Sequence, residues 1–185
     1  MPIPVRLHVE PASDVLVRQM IEFCNEIENA LESGNDATVP LSKWNRYANR
    51  ECDLREFQTY WKSTDQESFV REVLNPKPAL VSDLQYAEAH AVLNSLMSSE
   101  LSEPNHSFYL EWLEVQFPNS EICDLIYWPD AWFKNPALFR EPNGAFKPQT
   151  ELSPDQILAY AMLRSSRRLT DAPNNILMPF QLPGK

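Results

Sequence analysis

Apolar residues recur at helical spacing along nearly the whole chain. Ser13 or Asp14 can cap a first helix in which Leu16, Met20, Phe23, Ile27 and Leu31 return every three or four positions, and Gly34 is placed to end it. Leu41, Trp44 and Tyr47 with Ala48 predict a second, short helix, and Leu54, Phe57 and Trp61 behind Asp53 a third. Thr64-Asp65-Gln66-Glu67 reads as a capping box opening a fourth helix with Phe69, Val70, Val73 and Leu74. Asn75-Pro76-Lys77-Pro78 then breaks the pattern, because each proline disfavours helical backbone in the residue before it. A domain boundary is expected there, with residues 1–77 forming a helical accessory module.

Past the boundary, Ser82-Asp83-Leu84-Gln85 is a second capping box, and Ala89, Val92, Leu93 and Leu96 form the buried stripe of a helix running to about Met97. Pro104 starts another helix, with Tyr109, Trp112, Leu113 and Phe117 inward, stopped by Pro118-Asn119-Ser120. The next segment, Glu121 to Trp128, is only two turns long and ends at Pro129, so neighbouring elements must hold it in place. Residues 129–150 carry four prolines and a glycine and predict an irregular connection, pinned to the body by Trp132, Phe133, Leu138, Phe139 and Phe146. Ser153-Pro154-Asp155-Gln156 opens a last helix through Ile157, Leu158, Ala161, Met162 and Leu169, and the tail, residues 172–185, reads as loosely ordered. The fold class is therefore all-α, with the helices of residues 78–171 making a small bundle.

Composition narrows the chemistry. The 185 residues include only three glycines, Gly34, Gly144 and Gly184, so neither a G-x-G-x-x-G turn nor a P-loop can be written, and no nucleotide cofactor is expected. Cys24, Cys52 and Cys123 form no C-x-x-C pair, which suggests neither a disulfide framework nor a zinc site and fits a reducing cytoplasm. The first residues lack a signal-peptide core, and no apolar run has the length of a membrane span.

Net charge is −10, and its distribution says more than its total. Between Lys77 and Lys134 there is no lysine or arginine, while that stretch carries nine carboxylates, among them Glu111, Glu114, Glu121, Asp124 and Asp130. A surface of this sign repels nucleic acid and anionic membranes and draws in basic partners. The plainer reading is a solvated face that promotes solubility.

The order of elements in residues 79–169 resembles the immunity proteins that protect bacteria from DNase-type colicins and S-type pyocins. The resemblance rests on Asp124-Leu125-Ile126-Tyr127-Trp128-Pro129 for the family's S-D-L-I-Y-Y-P, on Ser153-Pro154 at the start of the fourth helix, and on Val81-Ser82-Asp83 with Ala87-Glu88 for I-S-D followed by E-A-E. It implies a non-enzymatic inhibitor that binds the basic cytotoxic nuclease domain of a toxin, of HNH type, beside its catalytic centre. DNA is then excluded by bulk and like charge. Carried over position by position, Asp124, Tyr127 and Trp128 are the expected anchors. Glu111 and Glu114, three apart on one helical face, are the candidates for pairing with basic groups of the toxin, and Glu121 and Asp130 flank the short turn. Trp128 departs from the family's tyrosine, keeping a large amphipathic ring but losing the phenolic oxygen. The register of the second helix shifts by two residues before Asp124. The connection from Pro129 to Ser153 is much longer than the family's, either extending the interface or capping the core, and residues 1–77 have no counterpart.

An enzymatic reading has less to work with. His8, His90 and His106 are the only histidines and none lies in H-E-x-x-H spacing. Asp83, Tyr86 and His90 share a helical face, which a satisfied surface histidine explains. Arg164, Arg167 and Arg168 sit where they complement the last helix's C-terminal dipole. The alternative to an immunity protein is an acidic helical adaptor or regulator in which the aromatic turn is purely core.

Overall fold

Capping side chains decide where the helices begin. In the computed structural model, which describes residues 2–98 and 100–182, Ser13 accepts from the Leu16 amide at 3.3 Å and opens α1, Asp14–Glu32. Further helices are α2 (Thr38–Tyr47), α3 (Leu54–Phe57), α4 (Gln66–Val73), α5 (Tyr86–Met97), α6 (Glu103–Gln116), α7 (Ile122–Tyr127), α8 (Pro129–Trp132), α9 (Pro136–Phe139) and α10 (Pro154–Ser165). Among the described residues no strand occurs beyond one antiparallel bridge between Arg140 and Phe146, and the chain is all-α. No described helix is long and apolar enough to cross a membrane.

Several starts and stops differ from the pattern-based expectation. Asp65, not Thr64, caps α4, accepting from the Ser68 amide at 3.0 Å, while the Thr64 hydroxyl donates to Glu103 at 2.8 Å. Helix α5 begins after Gln85 and not at Ser82, because Asp83 and Glu88 are both taken by Arg6, and Glu88 also accepts from the Gln85 amide. Helix α10 stops at Ser165, where Ser166 turns left-handed at φ 57°, although Leu169 beyond it is still buried. The connection after Pro129 holds α8, α9 and a 3-10 turn at Pro148–Thr150.

Two compact units divide the chain: His8–Lys77 with Leu101–Phe108, and Met1–Leu7 with Pro78–Glu100 and Tyr109–Lys185. Sequence order alone assigns 1–7 and 101–108 the other way round. In the first unit the inward stripe of α1 is Val17, Met20, Cys24 and Ile27, with Leu16, Phe23 and Leu31 only half-buried beside it. The Trp44 ring is fully buried there, edge-on to Phe57 at 4.9 Å and stacked on Phe69 at 5.6 Å. Residues 101–108 join this unit through Asn75, whose side-chain amide donates to the Pro104 carbonyl at 2.7 Å.

The second unit gathers α5, the later turns of α6, and α7 to α10 around Leu93, Leu113, Phe117, Ile122, Leu125, Ile157 and Leu158, all under 2% exposed. Residues 1–7 belong here because the Arg6 guanidinium forks onto Glu88 and reaches Asp83 at 2.8 Å, and Tyr109 donates to the Leu7 carbonyl at 2.9 Å. Gln116, fully buried, accepts from the Val81 amide and donates to the Ala79 carbonyl, both at 2.9 Å. Arg167 closes this knot by donating to the carbonyls of Gln116 and Val81, a partner set that fixes the end of α6. The expected dipole role therefore does not describe Arg167, which lies past α10 and donates instead to Gln116 and Val81.

The tail is also held. Phe180 packs on Phe133 (5.6 Å) and Phe139 (5.0 Å), and the Tyr160 hydroxyl donates to its carbonyl at 2.6 Å while accepting from its amide at 2.8 Å. This pins a segment that composition alone makes loose; the last part of that expectation, residues 183–185, lies outside the described residues.

Candidate functional site

Helix α7 is six residues long, and two-turn helices persist only when other groups satisfy their ends and cover one face. Ile122 and Leu125 supply the covered face at 0 and 1% exposure. The approach from α6 bends sharply through Asn119 and Glu121, both left-handed at φ 62° and 53°, a conformation that costs a non-glycine residue about 1 kcal/mol or more and needs local support. Support comes from the Glu121 carboxylate, which accepts from Arg164 at 2.5 Å, and from the Trp132 indole, which donates to the Ser120 carbonyl at 2.8 Å. Glu114 reaches from α6 to accept the Cys123 amide at 2.8 Å, capping the first turn of α7.

With its base secured in this way, α7 presents its last residues outward. Tyr127 is 41% and Trp128 55% exposed. Partial burial, with a smaller contribution from Cys123, raises the Tyr127 phenol above its ordinary value, so it stays a neutral hydrogen-bonding group at physiological pH. Asp124 is exposed on the same helix, and its carboxylate makes no hydrogen bond or ion pair among the described residues; the same holds for Glu111 on α6.

The expected site residues thus separate into two kinds. Asp124, Tyr127, Trp128 and Glu111 face solvent. Glu114 and Glu121 are engaged in holding α7, with Glu121 still half open. Asp130 departs most from expectation: it is 8% exposed and grips Arg140 with both oxygens, at 2.5 and 3.2 Å, which holds its carboxyl below the usual carboxylate range and leaves it nothing to offer a partner. Arg140 in turn lies over the Phe146 ring at 3.9 Å.

An apolar groove of about 350 Å³ opens beside the turn, walled by α7 residues Leu125 to Tyr127 and by the Phe146–Leu152 limb of the long connection, with Met97 at one end. Sequence reading does not find it, because its walls come from four segments, Ile157 of α10 among them, that share no periodicity.

Candidates for catalysis elsewhere are weak on geometry. Among the described residues no three His, Cys, Asp or Glu side chains converge as a metal ion requires. His90 Nε2 lies 3.4 Å from the Asp155 oxygen that also accepts from Tyr86 at 2.6 Å, a bridge between α5 and α10. Burial pushes the Cys123 thiol up to about 12 and those of Cys24 and Cys52 up to about 11, so each stays protonated at neutral pH.

Compared with known proteins, the chain matches no family model, no curated protein and no solved structure.

Proposed function

We propose that this chain is a bacteriocin immunity protein, a non-enzymatic inhibitor that binds the basic nuclease domain of a cognate toxin and keeps DNA from its active centre. The observation that carries the reading is the Tyr127-Trp128 pair, two large amphipathic rings standing 41% and 55% exposed at the end of a helix whose other face is buried. Such rings bury much area at small entropic cost and dominate interface energetics, typically contributing about 2 kcal/mol or more each when they anchor a complex. A turn serving only as core would hide them, so their exposure favours an interaction role over an adaptor with a purely structural turn.

Charge supplies the second part of the mechanism. Exposed carboxylates at Asp124 and Glu111, in a stretch without a single Lys or Arg from 78 to 133, steer a DNA-binding surface toward α7 and oppose phosphates once it has docked. The inhibitor needs no contact with the catalytic residues for this: bulk and like charge beside the active centre suffice to displace nucleic acid. Asp130 is left out of the interface by its pairing with Arg140.

Calorimetric titration of the full chain against the nuclease domain encoded beside its gene tests the reading. The expected result is stoichiometric binding that abolishes DNA cleavage and weakens at least about tenfold in Tyr127→Ala and in Trp128→Ala. No binding, or unchanged binding by both variants with the fold intact, overturns it.

A further inference from the structure

One residue of the connection that follows α7 grips that helix at both ends. The Trp132 indole donates to the Ser120 carbonyl at 2.8 Å, where the chain enters α7, and the Trp132 backbone amide donates to the Trp128 carbonyl at 3.0 Å, where it leaves. The Trp132 ring is buried, edge-on to Phe133 at 4.7 Å and to Tyr160 of α10 at 5.7 Å, so the bracket is anchored in the core. Arg164, also on α10, ties the two supports together: its guanidinium lies over the Trp132 ring at 4.9 Å and donates to Glu121, the residue before α7, at 2.5 Å.

Six residues of helix do not hold their own direction. Glu121 enters α7 left-handed and makes no side-chain cap bond, and Pro129, which has no N–H, follows Trp128 at the exit. The direction in which Tyr127 and Trp128 stand is therefore set by the groups that hold the two ends, and those groups converge on Trp132 and Arg164. Anchoring rings that must be ordered on binding cost affinity, and a frame that orders them beforehand raises it. Charge acts the other way at Arg164, since a cation beside an acidic face opposes a basic partner.

We infer that Trp132 and Arg164 are positioning residues of the interface: they fix the direction in which α7 offers Tyr127 and Trp128, so that the turn is ordered before the nuclease arrives. The inference rests on the proposed inhibitor role and adds to it a task for the long connection, whose first turn braces the anchors from behind. Trp132, at 3% exposure, does this through Ser120 and Trp128 and not by meeting the partner itself.

Titration of the full chain and its variants against the same nuclease domain decides it, with circular dichroism and melting confirming each fold. Trp132→Phe keeps a ring against Arg164 and Tyr160 but loses the indole donor; Arg164→Gln loses the guanidinium and its charge. Each is expected to weaken binding about tenfold, whereas charge alone predicts tighter binding for Arg164→Gln, by an amount that shrinks as salt rises. A double-mutant cycle supplies the reading that lost stability would not move. With Trp128→Ala already present, each substitution is expected to weaken binding by only about threefold or less, because the ring through which it acts is gone. If Trp132→Phe does not fold, Arg164→Gln and its cycle decide. Wild-type or tighter binding by Arg164→Gln, or full additivity with Trp128→Ala, overturns the positioning role, and with Tyr127→Ala still impaired the inhibitor role stands. A wild-type chain that does not bind the nuclease overturns both.

Discussion

The Glu114 carboxylate on α6 accepts the backbone amide of Cys123 on α7 at 2.8 Å, so a residue that looks from its spacing like a surface recognition group is the cap of the helix carrying the aromatic turn. Replacing it by alanine leaves a half-buried amide unsatisfied in a helix with few hydrogen bonds of its own. Glu114→Ala is expected to lower stability by about 1 kcal/mol, and Glu114→Gln, which keeps an acceptor, by less. Denaturant midpoints together with hydrogen exchange at the α7 amides check this: loss of protection should centre on α7 and leave α1 to α4 unaffected.

Trp128 is expected to behave in the opposite way. Its side chain is 55% exposed, so Trp128→Ala should change stability by no more than about 0.5 kcal/mol while removing an anchor from the interface. Unfolding curves that separate strongly from wild type would show that the indole braces the turn and is not held ready for a partner.

Acid titration isolates Asp130. Arg140, by hydrogen bonding and charge, holds the folded carboxyl below its ordinary value of 3.8, so the pair's contribution is fully present above that pH. It is lost as pH falls through the lower, folded value. Asp130→Asn should therefore be less stable than wild type at neutral pH, and the gap should close below pH about 4 as the wild-type carboxyl is protonated. Melting temperatures measured across that range give the gap directly; a constant difference would mean that Asp130 acts through packing alone.

Tail removal gives the last test. Phe180→Ala opens the cluster of Phe133, Phe139 and Tyr160 to water and is expected to cost about 2 kcal/mol, short of a fully buried phenylalanine because Phe180 is only half-buried. Tyr160→Phe removes one hydroxyl that both donates and accepts, at an expected cost of about 1 kcal/mol. Equal denaturation midpoints for wild type and Phe180→Ala would mean that the tail contributes nothing to the fold.

Helical periodicity carried the secondary structure because it is a local property: the apolar returns of α1 and α5 and the Ser153-Pro154 start of α10 are written in consecutive residues. Local signals fail where two neighbours compete for one role. Thr64 and Asp65 both suit a cap, and only the position of Glu103, which draws away the threonine hydroxyl, assigns it to Asp65. Cys24 sits inside α1's core stripe while Phe23 lies at its edge, since a small turn of the helix exchanges them and periodicity has no resolution at that scale.

The same division runs through the candidate site. An acidic stretch free of lysine and arginine, an aromatic pair before a proline and an all-α architecture are determined by the sequence itself, because composition and spacing do not depend on what the chain packs against. Which acids remain free was decided by tertiary structure. Asp124 and Asp130 are indistinguishable in type and lie six positions apart, yet Arg140 folds back over Phe146 onto one of them and nothing covers the other. Pairing between side chains distant in sequence depends on where the backbone brings them, and that is a property of the folded chain alone.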